Sequence, residues 1–573
     1  MGWLLGAALL VIGAGALEDW YGRFDYGADG IAYLDLAQAA GRGDWHLAMS
    51  PYWSVGYPTI LASVRWMYPP TPLGEWSALR VVNLICFLAT YLGFLAFLSA
   101  SSRYAAWIGG REETERGKLF VLIIGTGFFL LLQIENACVS RVSPDLLVSG
   151  VFFLACAISL RFFLRPAMST AFGLGLLLGF GYVLKAIFLP LSMAILSITF
   201  LHLFLRRPND RWMAIAKFGW ALPAFALLAV PCIAATSVAL GRLTLGETGA
   251  LNYAWTVNHL PHGTQWQGGP PPLGQPIHPT QLLLRNPPVF AFGEPFHVTY
   301  PPIFNQFYWY DGYHKFFNLR NQLEALKLNF VEILKSFTPG PHVVVKALAE
   351  IALLLFWLAF LPGRRWEWWR RFIALWPVYL PALAGLLIYM LVVIEPRYLI
   401  GFLIVLATAP FLALYIPTEL PSRKLGCVIV GLVALAAVAI PACHKRDMVR
   451  HVWNNEPYTS DTQWKTGLYL IQAGLHPGDK VASVTVGNGV FCTWAHISGV
   501  HIVAQIGNDT FDPLDQVKDF LLFADHPDVQ QTVFNLFKQA GAVMVILPDV
   551  KSPLQGPGWE HIPGTDAWIH HLD

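Results

Sequence analysis

The chain has 573 residues, of which 55% are hydrophobic, 14% aromatic and only 13% charged. Soluble globular proteins carry about 25% charged residues, which argues against a wholly soluble chain, and 38 Lys and Arg against 36 Asp and Glu leave no basic excess for nucleic acid. Forty prolines and 22 tryptophans exclude a bare helical bundle, so the composition predicts a polytopic α-helical membrane protein with loop-rich, aromatic mass outside it.

A crossing helix needs about 20 largely apolar residues. Such runs predict about eleven spans, at 2–17, 79–99, 119–134, 145–163, 171–187, 188–205, 217–240, 346–361, 372–394, 398–416 and 425–441. The first is short and lacks a basic flank, so it reads as an anchor or as a signal peptide; an anchor is preferred, with the true start left open. One helix over 171–205 would be about 50 Å long against a hydrocarbon core of about 30 Å. Pro190 near its middle points to a re-entrant turn and two spans.

Charge tests that choice. With the N-terminus cytoplasmic, Arg103, Arg111, Arg116 and Lys118 fall inside, as do Arg161 and Arg165, then Arg206, Arg207 and Arg211. Arg364, Arg365, Arg370, Arg371, Arg423 and Lys424 follow on the same side, while the short outer loops hold Arg141 and Arg397. This is the positive-inside pattern, and a single 171–205 helix would break it. Three large pieces are then outside: 18–78, 241–345 and the tail 442–573. Cys86, Cys156, Cys232 and Cys427 lie in apolar runs as packing residues, with no Cys or His spacing for a metal.

In the first outer piece, Ile31, Leu34 and Ala37 at helical spacing predict a short helix over 30–41 along the membrane, with Asp29 as a possible N-cap. A second surface helix is expected over 59–67, after the turn-rich Trp53–Pro58. The long loop is dense in Pro and aromatics (Gly269–Pro272, Phe304–Tyr310), too aromatic for disorder. It reads either as a lid on the headgroups or as a cleft wall for a sugar or lipid. His262, His278, His297 and His314 are scattered without a ligand motif. In the tail, strands over 481–486, 501–506 and 543–547 alternate with helices over 513–523 and 528–540, a small α/β domain. Gly487-Asn488-Gly489 lacks the third glycine of a dinucleotide fingerprint.

Ionisable groups at membrane depth are candidate functional groups. Asp29, Asp145, Lys185 and the Glu395-Pro396-Arg397 corner all fall at the outer ends of spans or in the first outer piece. Each has an ordinary alternative: helix-start chemistry for Asp145 after Pro144, snorkelling for Lys185, lipid phosphate for Arg397. Together they suit cations holding an anionic phosphate and a carboxylate taking a proton from a hydroxyl. The remaining cleft candidates are Asp25, Tyr33, Tyr57, Trp309, Tyr310 and Glu395.

These stretches resemble a known group. Asp29–Ala37, Gly43-Asp44-Trp45 and Trp53–Ala62 after a first span, then Ser143–Leu147, Gly179–Gly181 with Lys185, and Pro396–Leu399, follow the order seen in the GT-C superfamily of membrane-embedded glycosyltransferases. That group includes protein O-mannosyltransferases and the transferases that put aminoarabinose on lipid A. The resemblance covers about 1–440 and implies a transmembrane glycosyltransferase domain (1–441) followed by a periplasmic α/β domain (442–573). It implies a carboxylate of the first outer loop at the reaction centre, matched by Asp29. Many relatives have an acidic pair there where this chain has Asp29-Gly30, which leaves Asp25 or Asp19 as a stand-in. Asp145 matches a second acidic position, and Lys185 and Arg397 stand where cations would meet the lipid phosphate. No Asp-x-Asp occurs in the outer loops, unlike the metal-dependent oligosaccharyltransferases.

The expected function is metal- and cofactor-independent, inverting transfer of a sugar from a polyprenyl phosphate to an acceptor hydroxyl, at the outer face of a bacterial inner membrane. The partners are membrane lipids, the lipid-linked sugar, and a lipid, glycan or protein acceptor. A transporter or flippase, and a non-catalytic scaffold, are the competing readings.

Overall fold

A computed structural model describes residues 2–110, 115–135, 139–206, 210–261, 265–336, 365–413, 446–457, 460–484, 492–507, 513–548 and 558–572. The chain opens with α1 (Gly2–Tyr21), then α2 (Ala28–Gly41), α3 (Trp45–Ala48) and α4 (Gly56–Arg65). A bundle follows: α5 (Pro72–Ile108), α6 (Glu115–Glu135), α7 (Asp145–Leu164), α8 (Met168–Leu184), α9 (Phe188–Arg206), α10 (Arg211–Phe218) and α11 (Ala221–Leu240). The long connection contains α12 (Thr248–Thr256), β1 (Gln281–Arg285), β2 (Pro288–Ala291), α13 (Pro301–Phe304), α14 (Gln306–Tyr310) and α15 (Leu319–Ser336). The bundle resumes with α16 (Arg365–Ala374), α17 (Trp376–Met390) and α18 (Pro396–Leu412). The tail holds α19 (Arg446–Trp453), α20 (Thr462–Gln472), β3 (Lys480–Val484), α21 (Thr493–Ser498), β4 (His501–Ile506), α22 (Pro513–Ala524), α23 (Pro527–Gln539), β5 (Met544–Leu547), β6 (Trp559–His561) and β7 (Trp568–His571).

Among the described residues, four helical runs are long and apolar enough to cross a membrane: Pro72–Ile108, Asp145–Leu164, Phe188–Arg206 and Arg211–Leu240. Trp366–Ala374 and Trp376–Met390 form a fifth span if taken together, bent by 65°, and Met168–Leu184 and Pro396–Leu412 are shorter apolar helices. Expected spans 346–361 and 425–441, and Cys427, lie outside the described residues, as do Gly487-Asn488-Gly489 and His262. The 171–205 run is two helices, as its length required. The break falls at Lys185, whose backbone is extended, and Pro190 sits in the first turn of α9, where proline is tolerated.

Local chemistry explains where the long helices begin. Thr71 caps α5 by accepting from the Gly74 amide at 3.1 Å, with Pro72 at the first helical position and Glu75 in the first turn. Within the bundle α5 packs along α7 and α8 along α11. The second pair meets at backbone distance: a Cβ on Gly175 would run into the Ala221 carbonyl, and one on Gly179 would lie 2.8 Å from the Phe225 carbonyl oxygen. Two glycines one turn apart therefore form the groove that seats α11.

The remaining elements form a layer over one end of the bundle. α2 departs from expectation. It starts at Ala28, with Gly27 before it at φ 66°, so Asp29 lies inside the first turn and is not the N-cap. Nor is it a surface helix: Gly30 to Ala37 are all buried, because its small residues let α4, α13 and α21 close around it. The seven strands form one sheet in the order β1-β2-β4-β3-β5-β7-β6. β4, β3 and β5 are parallel, and the outer strands add antiparallel. The tail strands and helices match the sequence pattern within one or two residues. The β1–β2 hairpin does not: the long loop lends two strands to the tail's sheet, pairing Val289 with Ile506 and Ala291 with Ala504.

A buried polar network fastens this layer together. His496 of α21 meets Glu75 Oε1 at 2.6 Å and Asp35 Oδ1 of α2 at 3.4 Å. Asp35 also accepts from the Thr299 amide at 3.1 Å and hydroxyl at 2.7 Å, and Arg65 lies 3.1 Å from Glu75. Burial alone would depress the imidazolium; the carboxylates of Glu75 and Asp35 outweigh it and push the His496 pKa up to about 10.

Two outcomes are expected. Gly175→Ala should lower the thermal midpoint of the purified chain by a few degrees, an overpacking cost of about 1–3 kcal/mol. Gly173→Ala, whose added Cβ meets nothing within 4 Å, should leave it unchanged. The His496 pKa is higher folded than unfolded, so its contribution is complete below about pH 6.5 and lost as pH rises through about 10. Limited proteolysis of the tail should accelerate from pH 8 to 10.5, and His496→Gln should abolish that dependence while raising cleavage at pH 7.

Candidate active site

Each of the four ionisable groups singled out above stands at a helix end facing the layer. Asp29 is the second residue of α2, Asp145 opens α7, Lys185 caps the C-terminus of α8, and Arg397 is the second residue of α18 after Pro396. Three of these placements suit the helix dipole: carboxylates at N-termini, a cation at a C-terminus. Arg397 does not, since a cation at an N-terminus is disfavoured, and it is held there by carboxylates instead.

Those carboxylates come from two different helices. Arg397 donates to Asp29 Oδ2 at 2.6 Å, and its Nε lies 3.7 Å from Asp145 Oδ2. Lys185 Nζ donates to the other oxygen of Asp145 at 2.5 Å. It also sits 3.6 Å from the centre of the Tyr398 ring, a cation–π contact. Tyr389 stacks on Tyr398 at 5.3 Å. Two carboxylates and two cations thus form one chain of contacts, Asp29–Arg397–Asp145–Lys185, whose charges cancel. The Asp145 side chain is only 4% exposed, Arg397 17% and Lys185 19%.

The cluster forms one end of a cavity of about 800 Å³ between the bundle and the overlying layer. Its walls come from α2 (Asp29, Tyr33), the segment before α4 (Tyr52, Trp53), α12 (Thr248, Asn252, Trp255), α13 and α14 (Ile303, Gln306, Tyr310), and the α17–α18 corner (Tyr389, Glu395, Tyr398). Ile187, Leu189, Pro190, Val392 and Val393 give it an apolar floor. An apolar cleft with a few convergent polar groups is the usual form of a small-molecule site.

Of the residues picked from sequence, Asp29, Asp145, Lys185, Arg397, Tyr33, Tyr310 and Glu395 line this cavity. Tyr57 lies behind it, fully buried and edge-on to Tyr33 at 5.3 Å. Trp309 is also turned away, its Nε1 donating to the Pro301 carbonyl at 3.2 Å. Asp25 is not brought to the cluster and faces Arg141 at 3.5 Å. Asp19 is likewise elsewhere, buried against Arg80 and Asn83. The aromatic long loop is therefore both packed core and cavity wall. His278 belongs to that packing, stacked on Tyr308 at 4.2 Å. Among the described residues no group of three or more His, Cys, Asp or Glu is placed to hold a metal ion.

Sequence reasoning did not single out Tyr52, Asn252, Trp255, Gln306, Tyr389 or Tyr398. The nearest signals were adjacency of Tyr398 to Arg397 and the i, i+3 spacing of Asn252 and Trp255. The network of Asp35, Glu75 and His496 gave no signal, being assembled from three distant stretches.

No protein-family model and no curated protein matches the chain by sequence. Solved structures do match by shape. ArnT from Cupriavidus metallidurans, bound to undecaprenyl phosphate, superposes with a TM-score of 0.56 at 12% identity, covering 100% of this chain and 98% of that one. Its apo structure gives 0.53. The oligosaccharyltransferase AglB from Archaeoglobus fulgidus, in complex with an inhibitory peptide and a dolichol-phosphate, gives 0.52 at 11% identity, covering 95% of this chain and 69% of that one. At such identities the likeness is one of fold, and it extends over the bundle, the layer and the tail alike. It agrees with the resemblance read from the short motifs: the chain shares its fold with these two solved structures.

Proposed function

We propose that the protein is a glycosyltransferase that moves a sugar from a polyprenyl phosphate to an acceptor hydroxyl. The observation that carries this is the convergence of Asp29, Asp145, Lys185 and Arg397, from four separate helix ends, on one largely apolar cavity. Two cations there suit a phosphate, and the apolar floor beside them suits a prenyl chain. The solved relatives hold undecaprenyl phosphate and dolichol-phosphate, which supports a lipid-linked donor.

The chemistry follows from the contacts. The donor phosphate competes with Asp29 for Arg397 and frees the Asp29 carboxylate. Asp29 then takes the acceptor proton as the acceptor oxygen bonds to the anomeric carbon. The bond from that carbon to the phosphate oxygen breaks through an oxocarbenium-like state, with inversion. Polyprenyl phosphate leaves with the electron pair, and Lys185 and Arg397 balance its charge. Side-chain cations supply what a metal ion would otherwise supply, so the reaction is written without one. Asp145 orients both cations. The eleven-span arrangement, with an inner N-terminus and the site and tail (442–573) at the periplasmic face of a bacterial inner membrane, belongs to the same proposal. It rests on the distribution of basic residues. The acceptor is a lipid, a glycan or a protein.

The test uses purified full-length chain in nanodiscs with lipid-linked sugar donors, following release of polyprenyl phosphate, the product common to any acceptor. Asp29→Asn should cut turnover by about 10²–10⁴-fold while binding undecaprenyl phosphate at least as tightly as wild type, since the carboxylate that competes for Arg397 is gone. Arg397→Gln should weaken that binding by about tenfold or more, in line with loss of a charge-assisted contact. Full turnover in folded Asp29→Asn would remove that residue from the mechanism.

A further inference from the structure

α15 (Leu319–Ser336) packs against α17 and α18 with its polarity reversed. Two amides face inward, Gln322 at 8% and Asn329 at 5% exposure, whereas Leu319, Leu323, Phe330 and Leu334 are between 48% and 62% exposed. We propose that this outward stripe is seated in the phospholipid leaflet at this end of the bundle, and that α15 transmits the anchorage to the corner that positions Arg397. Neither part depends on what the cavity binds.

The amides face inward because α17 needs donors. The last carbonyls of a helix have no partner within it, and α17 ends at Met390 with Leu391, not glycine, as its cap. Asn329 Nδ2 donates to the Met390 carbonyl at 2.9 Å and the Val392 carbonyl at 3.3 Å. Gln322 Nε2 donates to the Leu391 carbonyl at 3.0 Å. α15 thus caps α17 from the side and fixes the backbone that leads, through Val393 and Ile394, into Glu395-Pro396-Arg397. Its lead-in is tied to another wall of the cavity. Asn258, just after α12, donates to the Phe316 carbonyl at 2.7 Å and accepts from the Phe316 amide at 3.2 Å.

Position, continuity and charge select phospholipid as the occupant of the stripe. α15 lies beside the C-terminal end of an apolar helix of the bundle, the level at which the chain leaves hydrocarbon. Leu387 and Leu391 of α17 are exposed as well, so the apolar surface of the bundle continues up to the residue that Gln322 holds. Basic residues border the stripe. At about 100° per residue, Arg320 and Lys327 fall just beside it, while Glu324 and Glu332 fall farther round. This order, apolar then cationic then acidic, sinks a helix to the depth of the lipid phosphates.

The experiment uses full-length chain in nanodiscs of phosphatidylethanolamine and phosphatidylglycerol. Phe330 or Glu324 is replaced by the photo-crosslinker benzoylphenylalanine, and the adducts are read by mass spectrometry. Phospholipid adducts should form several-fold more often from position 330 than from 324. Adducts from 330 to another part of this chain or to a second copy, or equal lipid adducts from both positions, would overturn the proposal. Hydrogen exchange over residues 389–399 tests the transmission. Asn329→Leu, and separately the double variant Leu323→Gln/Phe330→Gln, should each speed exchange there about tenfold, in line with lost hydrogen bonds to the α17 carbonyls. Exchange over β3 in the tail should stay unchanged. Unaltered exchange at 389–399 in the double variant would overturn the transmission, and an equal rise in β3 would mark a general structural role and overturn it too.

Discussion

Arg397 is the constraint on which the site depends. A guanidinium near a helix N-terminus, largely out of water, is opposed by the helix dipole and by desolvation. It stays because Asp29 of α2 and Asp145 of α7 both face it. Asp145 in turn holds Lys185 at the break between α8 and α9. One cation thereby references four helix ends to each other. Pairs of this kind contribute little net stability compared with apolar packing of similar volume.

α2 transmits that arrangement outward. Asp29 in its first turn belongs to the ionic cluster, Tyr33 one turn on lines the cavity, and Asp35 reaches the opposite side to meet His496 of the tail and Thr299 of the long connection. The same rigid rod thus has one end in the chemistry and the other in the joint that holds the tail. A small buried helix can do this because glycine and alanine leave room for neighbours on every side.

How much was legible in the sequence follows from which interactions are local. The apolar runs that fall among the described residues, the tail strands and the four charges near helix ends are written in consecutive residues, and these lie close to where the pattern put them. The split of 171–205 followed from length alone. Reading failed where contacts are distant. α2 looked like a surface helix because Ile31, Leu34 and Ala37 mark one stripe, whereas its burial depends on α4, α13 and α21. Asp29 is preferred in sequence with Asp25 as a stand-in, and Arg141 and Arg397 separate them in space. The β1 and β2 runs are short and separated by Asn286-Pro287, so neither stands out as a strand in sequence. Pro288 opens β2, a position that costs no ladder hydrogen bond. Gln306 and Asn252 belong to no motif, and only the fold brings them to the cavity wall.

The shared sheet also orders events during synthesis. The β1–β2 hairpin is made well before β4, the strand that Val289 to Ala291 must pair with. Until the last stretch of the chain emerges, those residues present an unpaired edge, and α13 and α14 lack the neighbour that Tyr300 engages through Gln505 at 2.6 Å. Non-local pairing of this kind is slow to form, and an open edge invites wrong partners. The side of the cavity formed by α13 and α14 therefore gains its backing last. A chain halted before β4 would leave that side of the cavity without the strand that supports it.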